Sequence, residues 1–237
     1  MIINPDIPTR ERLIFALDVA DVESARKLID TLGESVQFYK LGLEIFLSGH
    51  YFELLTELKA QGKRVFADLK LFDVPATVAA AVRQLSKHNI DFCTVHGNDG
   101  MLKAAVAAAG DMNILAVTAL TSLDKADLAD LGFQVDAQAL VLSRARRALE
   151  LGCAGVVSSG LEVAQLRNSI DHSLITVCPG IRPISNEDDQ KRVVNVSQAF
   201  ANGADYIVVG RPIRGANDPK TAAEAIQADI SLCFNQI

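Results

Sequence analysis

Cysteine is scarce and scattered. The 237 residues hold four, Cys93, Cys153, Cys178 and Cys233, and no two form a CxxC pair. That argues against a disulfide framework and against a cysteine-type zinc site. The four histidines, His50, His88, His96 and His172, show neither HxxxH nor HExxH spacing, so a histidine metal site has no support either. GxGxxG and GxxxxGK, the phosphate fingerprints of open nucleotide-binding sheets, are both missing. Nowhere do about 18 apolar residues run together, so no membrane-crossing helix is expected. The first residues, MIINPDIPTRER, lack a basic start followed by an apolar core. No signal peptide is expected, and with reduced cysteines the chain is expected in the cytoplasm. Positive charge is also short. Lysine and arginine number 23 against 29 aspartates and glutamates, a net charge of -6, which disfavours nucleic-acid binding through bulk charge.

What is present is a regular alternation. Short apolar runs recur at Arg12–Asp18, Gln37–Gly42, Arg64–Lys70, Asp91–His96, Asn113–Leu120, Ala154–Ser159, Leu174–Pro179 and Asp205–Gly210. Continuous apolar runs of five to eight residues suit strands buried on both faces, as in parallel sheets. Amphipathic stretches lie between them, at 22–32, 51–62, 76–88, 100–110, 137–152, 161–170, 196–203 and 219–234. In the second, Phe52, Leu55 and Leu58 read as the buried face. Pro219 after Asp218 reads as a first helical residue after its N-cap. A further short helix is expected near Leu123–Leu131. Eight strands alternating with eight helices predict an α/β protein, a single (β/α)8 barrel. An open doubly wound sheet is the alternative. No linker or composition shift divides the chain, so residues 1–237 are expected to form one domain.

In such a barrel, chemistry sits at the C-terminal ends of the strands. The first run ends in Asp18, the second carries Lys40, and the third carries Asp68 and Lys70, with Asp73 just beyond. Isolated buried charges are very unfavourable and persist only when paired. Asp68 and Lys70 are two apart and so leave the same face of a strand. One such pair reads equally well as a buried ion pair fixing barrel register. Charges converging from three strands favour a functional cluster. The seventh and eighth runs end in Pro179-Gly180-Ile181-Arg182 and Gly210-Arg211. Each alone reads as a turn or a strand end. Together, at adjacent strands where barrels commonly hold phosphate, they favour an anion site. The polar segment Ile184–Arg192 reads as a lid over that anion or as a solvated loop. His96 reads as a satisfied strand-end histidine, Arg144, Arg146 and Arg147 as a solvated helix face, and Cys178 as core.

The combination resembles the orotidine 5′-phosphate decarboxylase family. The motif Asp68-Leu-Lys70-Leu-Phe-Asp73 carries the likeness, together with LIFALDV around Asp18, FYKLGLE around Lys40, AVTALTS, CPGIRP, DQKR and IVVGRPI. Magnesium-dependent barrel relatives that act on sugar phosphates share DxKxxD but carry an acidic ligand where Lys40 stands. The resemblance implies decarboxylation of orotidine 5′-phosphate to UMP in de novo pyrimidine biosynthesis, without cofactor or metal. It implies that Lys70 protonates C6, that Asp68 faces the departing carboxylate, and that Asp18 and Lys40 contact the ribose and complete the charge network. Thr121 and Ser122 would lie near the pyrimidine, and Arg182, Gln190, Gly210 and Arg211 would hold the phosphate. Asp73 and Thr77 would reach the neighbouring site of a homodimer. No nucleic-acid or membrane partner is implied.

Overall fold

Eight parallel strands close on one another in chain order to form a barrel. They are β1 (Leu13–Ala16), β2 (Phe38–Leu41), β3 (Arg64–Leu71), β4 (Phe92–His96), β5 (Asn113–Val117), β6 (Gly155–Val157), β7 (Ile175–Cys178) and β8 (Tyr206–Val209). The computed structural model describes residues 4, 6–120, 122–181 and 194–234. The (β/α)8 expectation holds, and the open-sheet alternative does not.

Strand periodicity sorts the residues. Ile14, Phe38, Phe66, Phe92, Leu115, Val177, Tyr206 and Val208 belong to a cluster that fills the barrel. Their chain neighbours, among them Phe15, Tyr39, Val65, Ala67, Ala116 and Ile207, belong to the larger cluster between strands and helices. Both faces of each strand are therefore apolar, which is why the runs read as continuous rather than alternating. The rings of Phe38, Phe92 and Tyr206 lie 5.1–5.8 Å apart and close the barrel floor. The Arg64 guanidinium sits 4.4 Å from the Phe38 ring and is itself paired with Glu11 and Asp91. This leaves the C-terminal end of the barrel as the mouth. Lys40 follows Phe38 at strand period, and it pairs with Ala16 on one side and Phe66 on the other. The sequence thus forces an ammonium inward, just above an aromatic floor.

Eleven α-helices lie among the described residues: α1 (Val22–Leu32), α2 (Leu43–Leu47), α3 (Tyr51–Ala60), α4 (Pro75–Leu85), α5 (Asp99–Ala108), α6 (Lys125–Asp130), α7 (Ala137–Glu150), α8 (Val163–Ser169), α9 (Val196–Ala201), α10 (Arg211–Arg214) and α11 (Pro219–Phe234). Asp218 caps α11 as expected, accepting from the Thr221 amide at 3.1 Å. α6 falls in the stretch where a short extra helix was expected. α2 and α10 were not expected; helices of five and four residues are too short to show a period. In α3 the buried stripe is Tyr51, Leu54, Leu55 and Leu58, whereas Phe52 is exposed and stacks on His88. The helix begins at Tyr51, and positions 0, 3, 4 and 7 from there define the inner face. No helix among the described residues is long and apolar enough to cross a membrane.

Candidate active site

The mouth holds a cavity of about 340 Å³. That is in the range of small-molecule sites. Asp18, Lys40, Asp68, Lys70, Ser122, Gly180, Gly210 and Arg211 all line it. The floor is Ala16, Phe66 and Val208, and one wall is apolar, built from Val117, Ala119, Leu120 and Val157.

The charges form a chain. Lys40 Nζ lies 3.0 Å from Asp18 Oδ1 and 3.5 Å from Asp68 Oδ2, and Lys70 Nζ lies 2.9 Å from the same Asp68 oxygen. Burial alone would lower the Lys40 pKa. Asp68 and Asp18 outweigh it and hold the ammonium above its ordinary value. Burial alone would raise the Asp68 pKa. Lys40 and Lys70, with hydrogen bonds from Lys70 and Thr94, outweigh that and hold the carboxyl below its ordinary range. Each ion is buried only because its partners are present. Gly42 leaves them room: a Cβ there would lie 2.9 Å from Asp18 Oδ1 and 3.2 Å from Lys40 Nζ.

Asp68 and Lys70 do share the cavity, but a plain pleat does not put them there. β3 pairs with β4 up to Ala67 opposite Cys93, then resumes with Leu71 opposite Val95. Within this bulge Lys70 has φ +48. A left-handed backbone at a non-glycine residue costs on the order of 1–3 kcal/mol and clusters at functional sites. Gly180, at φ +78, turns the chain after β7 where a side chain would be strained in the same way.

The cavity is cationic within an acidic protein. Lys40, Lys70, Arg211 and Arg214 stand against Asp18 and Asp68, four positive side chains against two negative, a net +2. An anion is the ligand such a site takes. Among the described residues, no group of three or more His, Cys, Asp or Glu is placed to hold a metal ion. Between Asp18 and Asp68 the position a cation would fill is taken by the Lys40 ammonium.

A sequence profile of the orotidine 5′-phosphate decarboxylase / HUMPS family matches residues 11–226. The chain belongs to this family. It is 62% identical over 233 residues to an orotidine 5′-phosphate decarboxylase of Methylococcus capsulatus, covering 98% of this chain and 96% of the relative. It is 52% identical over 232 residues to that of Xanthomonas campestris pv. campestris, covering 96% of both. The crystal structure of orotidine 5′-phosphate decarboxylase from Lactobacillus acidophilus matches with a TM-score of 0.81 at 35% identity, over 93% of this chain and 99% of that one.

Not every expected site residue of this family member meets in the cavity. Asp73 and Thr77 are exposed and lie outside its lining. Thr121, Arg182 and Gln190 fall outside the described residues, as does the Ile184–Arg192 segment. His96 is half-buried at the end of β4, edge-on to Phe72, and does not line the cavity. Burial, then Arg144 and Lys70, push its pKa down. Arg144 corrects an expectation: it is no part of a solvated face. It reaches in from α7, donates to the Thr118 carbonyl at 2.6 Å and lies over the Phe133 ring. Arg146 and Arg147 of the same helix are exposed, the latter paired with Asp99 and Glu150. Cys178 is core.

Two residues escaped sequence reasoning. Arg214 stands three positions after Arg211, a helical spacing that puts both on one face of α10. Thr94 is fully buried on β4 and donates to Asp68 Oδ1 at 2.9 Å. Its signal was a hydroxyl in the apolar run DFCTVH, in phase with the inward Phe92.

Proposed function

We propose that this chain decarboxylates orotidine 5′-phosphate to UMP, the closing chemistry of de novo pyrimidine biosynthesis, as one cytoplasmic barrel domain working without cofactor or metal. The carrying observation is the Asp18–Lys40–Asp68–Lys70 chain in a cavity that also holds Arg211 and Arg214. The substrate carries a phosphate dianion and a carboxylate, and the cavity's positive balance suits it. The arginines take the phosphate, the wall of Val117, Ala119, Leu120 and Val157 takes the flat ring, and the lysine–aspartate chain meets C6. Heterolysis of the bond from C6 to the carboxylate releases CO2 and leaves the electron pair on C6, where no resonance sink accepts it. Lys70 stabilises that charge and gives C6 its proton, then regains one from water. Ser122 hydrogen-bonds the pyrimidine. Gly210 gives the phosphate close access to the backbone; by resemblance, Arg182 and Gln190 belong to the same grip and Thr121 lies near the pyrimidine with Ser122.

Incubating the protein with orotidine 5′-phosphate and following the pyrimidine absorbance tests this. Turnover that survives EDTA is expected. Absence of turnover sinks the reading, and loss with chelator transfers it to the metal-dependent branch of sugar-phosphate lyases.

The Arg214 side chain makes no hydrogen bond or ion pair among the described residues, so its charge is available to the ligand. Arg211→Ala and Arg214→Ala should each lower kcat/KM by about 10- to 100-fold, the worth of one charge-assisted hydrogen bond. The loss should appear in UMP affinity and not in uridine affinity. Equal losses for both ligands would remove the phosphate assignment.

Asp73 and Thr77 serve a second copy of the chain. Phe72 and Val74, on either side of Asp73, are 69% and 62% exposed, an apolar edge that a homodimer would cover. Mixing Lys70→Ala with Asp73→Asn chains should restore about a quarter of wild-type activity, because half the dimers are hybrids with one intact site. No recovery on mixing would place Asp73 outside the partner's site.

A further inference from the structure

One hydroxyl holds the bend that brings Lys70 to the mouth. Across the bulge, β3 advances four residues, from Ala67 to Leu71, while β4 advances two, from Cys93 to Val95. Thr94 is the β4 residue between them and is fully buried. Its hydroxyl accepts from the Lys70 amide at 3.0 Å and donates to Asp68 Oδ1 at 2.9 Å. Both lysines sit on the other carboxylate oxygen, Asp68 Oδ2. Salt bridges to one oxygen fix where the carboxylate is but leave it able to turn. The donor on Oδ1 stops that turn. The amide bond, for its part, supplies the acceptor that the broken ladder takes from Lys70 in its left-handed conformation.

We propose that Thr94 is a positioning residue of the reaction: its single hydroxyl locks the Lys70 backbone and the Asp68 carboxylate into one geometry, so that proton donor and carboxylate meet the substrate in register. The proposal rests on the decarboxylase reading for its kinetics but not for its geometry. Threonine is otherwise an ordinary choice for a strand, and valine has nearly its shape. If Thr94 only filled space in β4, valine would serve equally well.

The charged groups facing Asp68 are Lys40 from β2, Lys70 from its own strand and, behind Lys40, Asp18 from the end of β1. The Cys93 thiol of β4 and the Tyr51 phenol of α3 lie on the outer side of the barrel wall, both pushed up by burial and further by Asp68. None of these groups is itself substituted in Thr94→Val, so a shift in Asp68 reports the lost donor together with any loosening of Lys70 that follows from it.

The test compares Thr94→Val with Thr94→Ser. With orotidine 5′-phosphate, the valine variant should lose about 10- to 100-fold in kcat with KM within about twofold, the usual cost of a small misplacement of reacting groups. Serine keeps both hydrogen bonds and should recover kcat to within a few-fold. Independently of turnover, the Asp68 carboxyl followed by 13C NMR should titrate at higher pH in the valine variant and return in the serine variant, since a donor to the ionised form has gone. A valine variant with unchanged kcat and unchanged Asp68 titration overturns the proposal, as does a serine variant as impaired as valine. Wild-type protein without turnover would sink the decarboxylase reading alone; the carboxyl titration would still decide the role of Thr94.

Discussion

Replacing Lys70 with alanine should remove turnover by more than about three decades in kcat while UMP still binds. At about 4 Å a unit charge contributes about 4 kcal/mol at an effective dielectric near 20, which is about a thousandfold in rate. That figure covers only electrostatic support of the negative charge developing at C6. Alanine also deletes the proposed proton source, so the C6 anion would have to find water. Binding should survive because Arg211 and Arg214 lie on α10, on a different part of the cavity rim from β3. Asp68 would keep Lys40 at 3.5 Å and the Thr94 hydroxyl at 2.9 Å, so the mouth should hold its shape. Steady-state absorbance assays with titration calorimetry against UMP separate the two effects. Lys70 is one-third exposed, which leaves room for a small exogenous amine to enter and restore part of the rate. Near-normal kcat in the alanine variant would end the proton-donor role. Loss of UMP affinity equal to the loss in kcat would make Lys70 a ligand-binding group instead.

How far the sequence announced this site depends on what kind of order each part uses. The barrel was legible because eight buried strands write eight apolar runs, and helices between them keep a 3.6-residue period. Lys40 was legible because an ammonium inside such a run demands partners. Asp68 and Lys70 were legible as a pair, but their shared face follows from a bulge and a left-handed backbone at Lys70, which no pleat rule encodes. Thr94 left only a weak signal, an inward hydroxyl in an apolar run, because a threonine in a strand is ordinary until its two partners are seen. Arg144 was misread because the helix pattern cannot say that α7 leans over the rim toward Thr118. Arg214 drew no reading, since the four-residue α10 that carries it is too short to show a period. Asp73 and Thr77 are exposed and outside the cavity of the single barrel, and the role proposed for them needs a second chain.

The other large effect belongs to Lys40, and it is one of stability. Its ammonium is the bridge between Asp18 and Asp68, and the side chains of Lys40 and Asp68 are each 11% exposed. Removing one partner of a buried ion pair costs about 3–5 kcal/mol, because the charge left behind is uncompensated. In a chain of this length each kcal/mol moves Tm by about 2–4 °C, so Lys40→Ala should melt roughly 6–20 °C lower at neutral pH. The pH dependence identifies the cause. In the wild type the depressed Asp68 pKa contributes stability that is present above the ordinary carboxylate range and lost as pH falls through the depressed value. The raised Lys40 pKa contributes stability that is complete below the ordinary ammonium value and lost as pH rises through the raised one. Between those limits the pair leaves Tm flat. Without Lys40, the first of the charges that offset burial is gone and the Asp68 pKa climbs against the Lys70 and Thr94 contacts that remain; we expect it to pass its unfolded value, so that folding takes up a proton and the added cost grows as pH rises. The deficit against wild type should therefore be smaller near pH 5 than near pH 8. Adding Asp68→Asn removes the stranded charge; the double variant should regain part of the loss at pH 8 and lose the pH dependence. Scanning calorimetry of the three proteins across that range decides it: a deficit that is flat with pH, or untouched by the second substitution, would mean that Lys40 packs in the mouth without holding its carboxylates.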